Sequence, residues 1–296
     1  MGELTLAGGR RLRFEVYGAH SGPLVFLAHA TPGSRVALGP DHSTLDRLGA
    51  QLVSYDRPGY GGSDRQPGRT VADAATDVAA IADALDVATF GVYGIGGGGP
   101  HALACAALLP DRVTRVAALG GPAPASAEGL DWLAGMSKST VEEFTAARAG
   151  AEALATELAP ALTRLREQPA AYLDALEVEL PEPDRTVLAQ PALRVQVAAG
   201  VVEALRGGPH GWIEDELALQ HPWGFEPVSI TAATMLWHGA QDVLAPVSHG
   251  DWLHREIPGS TFVRAAEQAH FGAYSAQDYA LSWLLGDDAA PRRPSR

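Results

Sequence analysis

The stretch Thr89–Leu109, TFGVYGIGGGGPHALACAALL, decides the fold of this 296-residue chain. Its apolar start, residues 90–93, is typical of a short buried strand, and its small-residue end, residues 102–109, is typical of a helix packed closely on a sheet. Residues 94–99, five of them glycine, join the two. Open α/β sheets place their chemistry where a strand turns through glycines into a helix.

Two kinds of site use such a turn. The nucleophile elbow, G-x-S-x-G, holds a serine in a strained turn above the sheet. Gly94, Gly96 and Gly98 occupy its three fixed positions, so the serine is missing. The dinucleotide-binding loop, G-x-G-x-x-G, is matched by Gly94, Gly96 and Gly99, although a run so rich in glycine matches it easily.

The neighbouring sequence favours the elbow. A dinucleotide loop usually follows the first strand of its unit and needs an acidic residue about 20 positions later, at the end of the next strand. Here several predicted strands precede the turn, and the next strand, residues 113–119, leads into Gly120-Gly121-Pro122 without a carboxylate. We therefore interpret residues 94–98 as an elbow that lacks its nucleophile, and we expect no cofactor.

The composition limits the class of protein. A chain that is 46% hydrophobic can bury a large core and fits one α/β domain with an insertion. The net charge of -13 disfavours nucleic acid and membrane as partners, because both attract basic surfaces. Without a long apolar run or a secretion signal, we expect a cytoplasmic protein that acts on a small-molecule substrate. No spacing typical of a metal site is present.

Strand and helix patterns alternate through the first part of the chain, which predicts a mostly parallel sheet with helices on both faces. The predicted elements before the elbow are a hairpin at residues 4–17, strands at 24–28 and 51–55, and a helix at 70–85 with Thr70 as its N-cap. We expect this part of the core to span residues 1–122.

The strand pattern stops in residues 123–224, where helical patterns predict an insertion. One helix is expected from a capping box at Ser139 to Pro160, and others near residues 171–180 and 193–206. A strand at 232–237 resumes the core, which we expect to span residues 225–286. The polar tail, residues 287–296, is expected to be disordered.

The motifs, in their order and spacing, resemble those of the α/β-hydrolase superfamily, in its branch of small esterases, lactonases, peptidases and haloalkane-dehalogenase-like enzymes. The matching pieces are His29-Ala30-Thr31-Pro32 (H-G-x-P is usual), Asp56–Ser63 (DRPGYGGS), the elbow, Gly239-Ala240-Gln241-Asp242 and His270. The resemblance covers residues 10–120 and 225–285. It implies an α/β-hydrolase fold in which the helical insertion follows the sixth strand and forms a lid.

The resemblance also implies a set of site residues. In this fold the nucleophile, acid and base come in that order along the chain, which assigns them to Gly96, Asp242 and His270. The backbone N–H groups of Thr31 and Gly97 would bind the oxyanion. Four residues of the insertion are candidates for the substrate pocket, although packing of lid on core explains each of them as well: Trp132, Met136, Trp212 and Trp223.

Other histidines fit structural roles better. His29 and His238 each close a strand, where a histidine commonly makes structural hydrogen bonds, and His101 begins the helix after the elbow and is expected to support it.

Glycine at position 96 has no side chain to attack a substrate, so acyl-enzyme chemistry through this residue is excluded. The backbone is no obstacle, because an elbow serine stores strain of about 1–3 kcal/mol that glycine relieves. We therefore expect an intact elbow and oxyanion hole.

Three interpretations stay open. The chain is an inactivated or substrate-trapping serine hydrolase for a small ester, lactone or amide. It is a lyase, cyclase or cofactor-free oxygenase in which an Asp242–His270 dyad acts as a base. Or it is a binding protein on the same fold. The sequence does not indicate an oligomeric state.

Overall fold

The structure, a computed structural model, describes residues 2–36 and 42–286, so the predicted disordered tail lies outside the described residues. Eight strands form one sheet: β1 (Gly2–Thr5), β2 (Arg11–Gly18), β3 (Leu24–Ala28), β4 (Gln51–Tyr55), β5 (Phe90–Ile95), β6 (Val113–Leu119), β7 (Ala233–Gly239) and β8 (Thr261–Ala265). Their order in space is β1-β2-β4-β3-β5-β6-β7-β8. β2 pairs antiparallel with β1 and β4, and all other neighbours pair parallel, which confirms the predicted sheet.

Five helices cover the two faces of the sheet. One face carries α1 (His42–Leu48) and α11 (Gly272–Leu284), and the other carries α2 (Asp73–Ala84), α3 (Gly98–Leu108) and α10 (Val247–Glu256). Alternate residues of β3 enter the two core clusters, because successive side chains of a strand point to opposite faces. No helix of residues 2–36 and 42–286 combines the length and the apolar character needed to cross a bilayer.

The N-cap predicted for the helix of residues 70–85 is wrong. α2 begins at Asp73. The Thr70 side chain does not accept a hydrogen bond from the helix; instead the Asp73 carboxylate accepts hydrogen bonds from the Thr70 N–H (2.7 Å) and hydroxyl (2.9 Å). Thr70 therefore lies in the turn before the helix.

The chain between β6 and β7 is helical, which confirms the predicted insertion after the sixth strand. Its helices are α4 (Lys138–Ala149), α5 (Ala151–Glu167), α6 (Pro169–Glu177), α7 (Glu182–Leu188), α8 (Pro191–Ala204) and α9 (His210–Gln220). The boundaries differ from the prediction: Ser137, not Ser139, caps α4, the chain breaks at Gly150, and α5 continues through Pro160. Neither α7 nor α9 was predicted.

One buried ion cluster joins the insertion to the core. Asp215 of α9 is fully buried and accepts hydrogen bonds from four side chains of the core. Arg57 donates through Nε at 3.2 and 3.1 Å and Arg69 through its guanidinium at 2.6 Å. The hydroxyls of Tyr60 and Thr31 donate at 2.9 and 2.7 Å. The cluster thereby fixes α9 against the loop that carries Thr31.

A second group of ionic contacts joins α8 to the same loops. Arg35 donates to Asp56 through its backbone N–H (2.7 Å) and its guanidinium (2.6 Å), and the same guanidinium nitrogen donates to Glu203 at 2.7 Å. Through Asp56 and Arg57, the Asp56–Ser63 motif thus helps to hold the insertion against the core.

We expect Asp215→Asn to destabilise the fold strongly. The substitution keeps the shape but leaves Arg57 and Arg69 buried without a counter-charge, which costs about 3–5 kcal/mol. Although burial alone raises the pKa of Asp215, the two arginines hold that pKa well below its ordinary value. Its contribution to stability is therefore present at neutral pH and is lost only as the pH falls through that low folded-state pKa.

The measurement is urea unfolding at pH 7, with Lys138→Ala as the matched control. That control breaks an exposed pair with Glu142 and should change the free energy of unfolding by less than about 1 kcal/mol. If Asp215→Asn lowers the free energy of unfolding by no more than Lys138→Ala does, the cluster does not fix α9 on the core as described.

Candidate active site

The turn between β5 and α3 has the backbone geometry of an elbow. Gly96 has φ +53°, a conformation that favours glycine. On either side the chain approaches itself closely: a Cβ on Gly94 would lie 2.0 Å from the carbonyl oxygen of Gly98, and a Cβ on Gly98 would lie 2.1 Å from that of Ala28. The two flanking glycines are therefore required by contact with the backbone, whereas a Cβ at position 96 would need only a small shift of the His270 ring.

His270 and Asp242 meet as predicted from their places after β8 and β7. His270 Nδ1 lies 2.8 Å from Asp242 Oδ2. The other carboxylate oxygen, Oδ1, accepts the N–H groups of Leu244 (2.8 Å) and Ala245 (2.9 Å). The backbone thus holds the carboxylate in one orientation, with Oδ2 facing the imidazole.

The dyad faces position 96. Since a carboxylate only accepts hydrogen bonds, Nδ1 of His270 carries the proton, and in the neutral ring the lone pair is on Nε2. A Cβ built on Gly96 would lie 3.3 Å from that Nε2. Burial alone lowers the pKa of His270, but the carboxylates of Asp242 and Asp184 outweigh it and raise that pKa above its ordinary value.

Thr31 and Gly97 lie against each other beside the elbow. A Cβ on Gly97 would lie 2.3 Å from Thr31 Oγ1, so the threonine side chain fills the space that a larger residue at 97 would need. Neither N–H group has an acceptor within residues 2–36 and 42–286. Two free backbone donors next to position 96 can stabilise a negative oxygen.

Asp184 of α7 is a site residue that the sequence did not reveal. Its carboxylate accepts the backbone N–H groups of His270 (3.1 Å) and Phe271 (2.7 Å) and so holds the loop that carries the histidine. Burial raises the pKa of Asp184 to about 6. No local signal could have identified it, because its partners lie 86 and 87 positions away.

A cavity of about 170 Å³ lies between the elbow and the insertion. Gly96, Gly97, Thr31 and His270 line it from the core, and Asp242 lies behind His270. The insertion contributes residues of α4, α6, α8 and α9, chiefly Glu143, Tyr172, Val197, Trp212 and Glu216. Its size suits a small ligand.

Trp212 lines this cavity, but the other three pocket candidates do not. Trp132 donates from Nε1 to the Ala123 carbonyl (2.9 Å) and packs edge-on against Phe144 and His249. Trp223 is buried in the core cluster beside Phe225. Met136 is half-buried and lies outside the cavity lining. For Trp132 and Trp223, packing is the better interpretation.

His29, His101 and His238 differ from His270 in the direction in which their pKa values are shifted. Burial lowers the pKa of His29 well below its ordinary value, that of His101 to about 3 and that of His238 to about 4. His29 and His101 make structural hydrogen bonds to the carbonyls of Ala30 and Gly97, both 2.8 Å. For His238 that expectation is wrong, because neither ring nitrogen has a partner among the described residues.

In residues 2–36 and 42–286, no three His, Cys, Asp or Glu side chains are arranged to hold a metal ion.

Comparisons with known proteins agree with this architecture. Residues 23–276 match the sequence model of the family described as alpha/beta hydrolase fold. Among solved structures, an enol-lactonase from Burkholderia xenovorans LB400 superposes with a TM-score of 0.70 at 18% identity, over 96% of this chain and 99% of that one.

Two esterases are similar to the same extent. One, from Thermogutta terrifontis, has a TM-score of 0.68 at 20% identity, covering 97% of this chain and 99% of that one. The other, from Exiguobacterium antarcticum, has a TM-score of 0.68 at 21% identity, covering 96% and 99%. At such identities the likeness concerns the fold.

We expect the pKa of His270 to fall when either neighbouring carboxylate loses its charge. Asp242→Asn should lower it more than Asp184→Asn, because Asp242 both bonds to the ring and attracts the imidazolium charge, whereas Asp184 bonds to the backbone of His270 and attracts the ring only through its charge. The measurement is an NMR titration of the His270 Cε1–H signal. Glu267→Gln, an exposed change three residues away, is the control and should leave the midpoint unchanged. A midpoint that stays fixed in both Asn variants would contradict this electrostatic account.

Proposed function

This chain belongs to the α/β-hydrolase family, and we propose that its cavity is a serine-hydrolase site for a small ester, lactone or amide in which Gly96 occupies the nucleophile position. One observation carries the proposal: a Cβ at residue 96 would lie 3.3 Å from Nε2 of His270. A serine there would bring its hydroxyl within hydrogen-bond reach of the base. Solved structures named as an enol-lactonase and esterases have this fold, which supports ester and lactone chemistry.

Each group has a role in this proposal. The N–H groups of Thr31 and Gly97 bind the carbonyl oxygen of the substrate, and helices α4–α9 act as a lid that excludes water. Asp242 holds the His270 tautomer whose Nε2 accepts a proton. The covalent step cannot occur because residue 96 has no hydroxyl. The glycine form therefore binds its substrate without forming an acyl-enzyme.

We expect Gly96→Ser to create esterase activity. Removal of a serine nucleophile costs about a million-fold in turnover in a protease of another fold, so the gain should reach several orders of magnitude. The measurements are turnover of p-nitrophenyl acetate and covalent labelling by a fluorophosphonate. The serine stores strain of about 1–3 kcal/mol at the positive φ of this position, so a modest loss of stability should accompany the gain.

Two variants control this experiment. Gly96→Ala adds the same Cβ without the hydroxyl and should gain no labelling. The double variant Gly96→Ser/His270→Ala keeps the hydroxyl but removes the base, and should lose most of the new turnover. If the serine form folds and is neither labelled nor active, the hydrolase proposal fails.

A second candidate function uses the glycine form itself. Without a side chain at 96, a water molecule can lie beside His270 Nε2, and the dyad can act on that water or on an acidic proton of the substrate. If so, slow turnover by the unaltered chain disappears in His270→Ala while ligand binding persists. If no His270 variant changes any turnover, the binding-protein interpretation is favoured over both enzymatic ones.

A further inference from the structure

Two carboxylic acids of the insertion, Glu143 on α4 and Glu216 on α9, line the cavity. Their side chains lie within hydrogen-bond reach of each other. The Trp212 Nε1–H donates to Glu143 Oε1 at 2.6 Å. Glu216 is 5% exposed, and its Oε2 has no hydrogen-bond donor among the described residues. Glu216 lines the cavity, and a carboxyl group that lacks a donor in such a place is one to which a ligand can donate.

The pair has no basic partner among the described residues. Among the described residues that line the cavity there is no lysine or arginine, and the ionisable groups besides the pair are His270, Tyr172 and Tyr274. Asp215, next to Glu216 on α9, already accepts from its own arginines. Two carboxylates this close in a buried site cannot both be charged without a cation.

In the absence of a cation, a proton supplies the positive charge that the pair needs. Burial raises the pKa of Glu143 to about 7, and burial followed by repulsion from Glu143 and Asp215 raises the pKa of Glu216 well above its ordinary value. Glu157 of α5 adds to the repulsion on Glu143. At neutral pH the pair therefore holds at least one proton, and a cation that binds between the two groups would displace it.

The surrounding rings favour a cation of a particular kind. Tyr172 and Trp212 both line the cavity, with ring centroids 6.4 Å apart and planes at 84°. Aromatic faces next to carboxylates suit an alkylammonium group, which combines N–H donors with a charge that the rings attract.

We propose that Glu143 and Glu216 bind the ammonium group of the substrate, so that the substrate class is a small amino-bearing ester, lactone or amide. The inference rests on the proposed function for the identity of the scissile group. The ammonium donates to the carboxyl groups of Glu216 and Glu143, and a proton that the two groups held passes to solvent. Amine recognition and bond cleavage therefore use different walls of one cavity.

The experiment measures binding to the unaltered chain by calorimetry at pH 7, with benzylammonium chloride and its uncharged counterpart benzyl alcohol as probes. The ammonium should bind at least about tenfold more tightly, because its hydrogen bonds are charge-assisted. Titrations in two buffers of different ionisation enthalpy should show proton release with the ammonium and none with the alcohol.

Three single variants test the residues. Glu143→Gln and Glu216→Gln keep the side-chain shape and should each weaken ammonium binding by about tenfold or more, without weakening alcohol binding. Glu142→Gln removes the same charge from an exposed neighbour on α4 and should change neither. Thermal unfolding of each variant shows that it is folded, and because the two cavity variants are independent, one that misfolds leaves the other to decide.

Several results would overturn the inference. These are no detectable binding of benzylammonium, equal binding of the alcohol, or undiminished ammonium binding in a folded cavity variant. Binding needs no nucleophile, so this test can succeed even if Gly96→Ser shows no hydrolysis, which would refute only the proposed function. Conversely, a Gly96→Ser variant that hydrolyses p-nitrophenyl acetate but shows no preference for the p-nitrophenyl ester of glycine would refute only the amine recognition.

Discussion

The fully buried carboxylate of Asp215 is the interaction on which the site depends. It binds Arg57 and Arg69 of the core, and it accepts the hydroxyl of Thr31, whose backbone N–H lies beside the elbow. A single side chain of α9 therefore contacts both the arginines of the core and the loop that carries Thr31, the residue proposed as an oxyanion donor. The cavity lies between the core and the insertion, which this contact holds together. Its shape therefore depends on Asp215, although Asp215 does not line it.

The same helix places two acids in opposite environments. Successive residues of an α-helix point about 100° apart, so Asp215 faces the core arginines while Glu216 faces the cavity. The arginines hold the pKa of Asp215 well below its ordinary value, whereas burial without a basic partner raises that of Glu216. Charge state here follows from the surroundings and not from residue type. The acid that lacks a basic partner is the one that lines the cavity.

The sequence was informative where structure is local. The elbow follows from one strand, one turn and one helix, and Asp242 and His270 follow from their places after predicted strands. It was uninformative where the partners are distant: Asp215 and Arg57 are 158 positions apart, and α9 carries no pattern that sets it apart from other short helices. Trp132 and Trp212 look alike in sequence, and only their distant contacts separate them: Trp132 packs on His249 of the core, whereas Trp212 bonds to Glu143 and lines the cavity.

Although glycine stands at position 96, the site around it still contains groups whose burial costs free energy of folding. The backbone of the elbow is unstrained with glycine, and the fold does not need a hydroxyl there. The dyad is different, because a buried imidazole beside the carboxylates of Asp242 and Asp184 carries a desolvation penalty that an apolar trio would avoid. The acid pair of Glu143 and Glu216 carries another. Apolar side chains could fill the same space without this cost, so the fold alone does not account for either arrangement. That cost is the physical reason to regard the cavity as a site for a ligand.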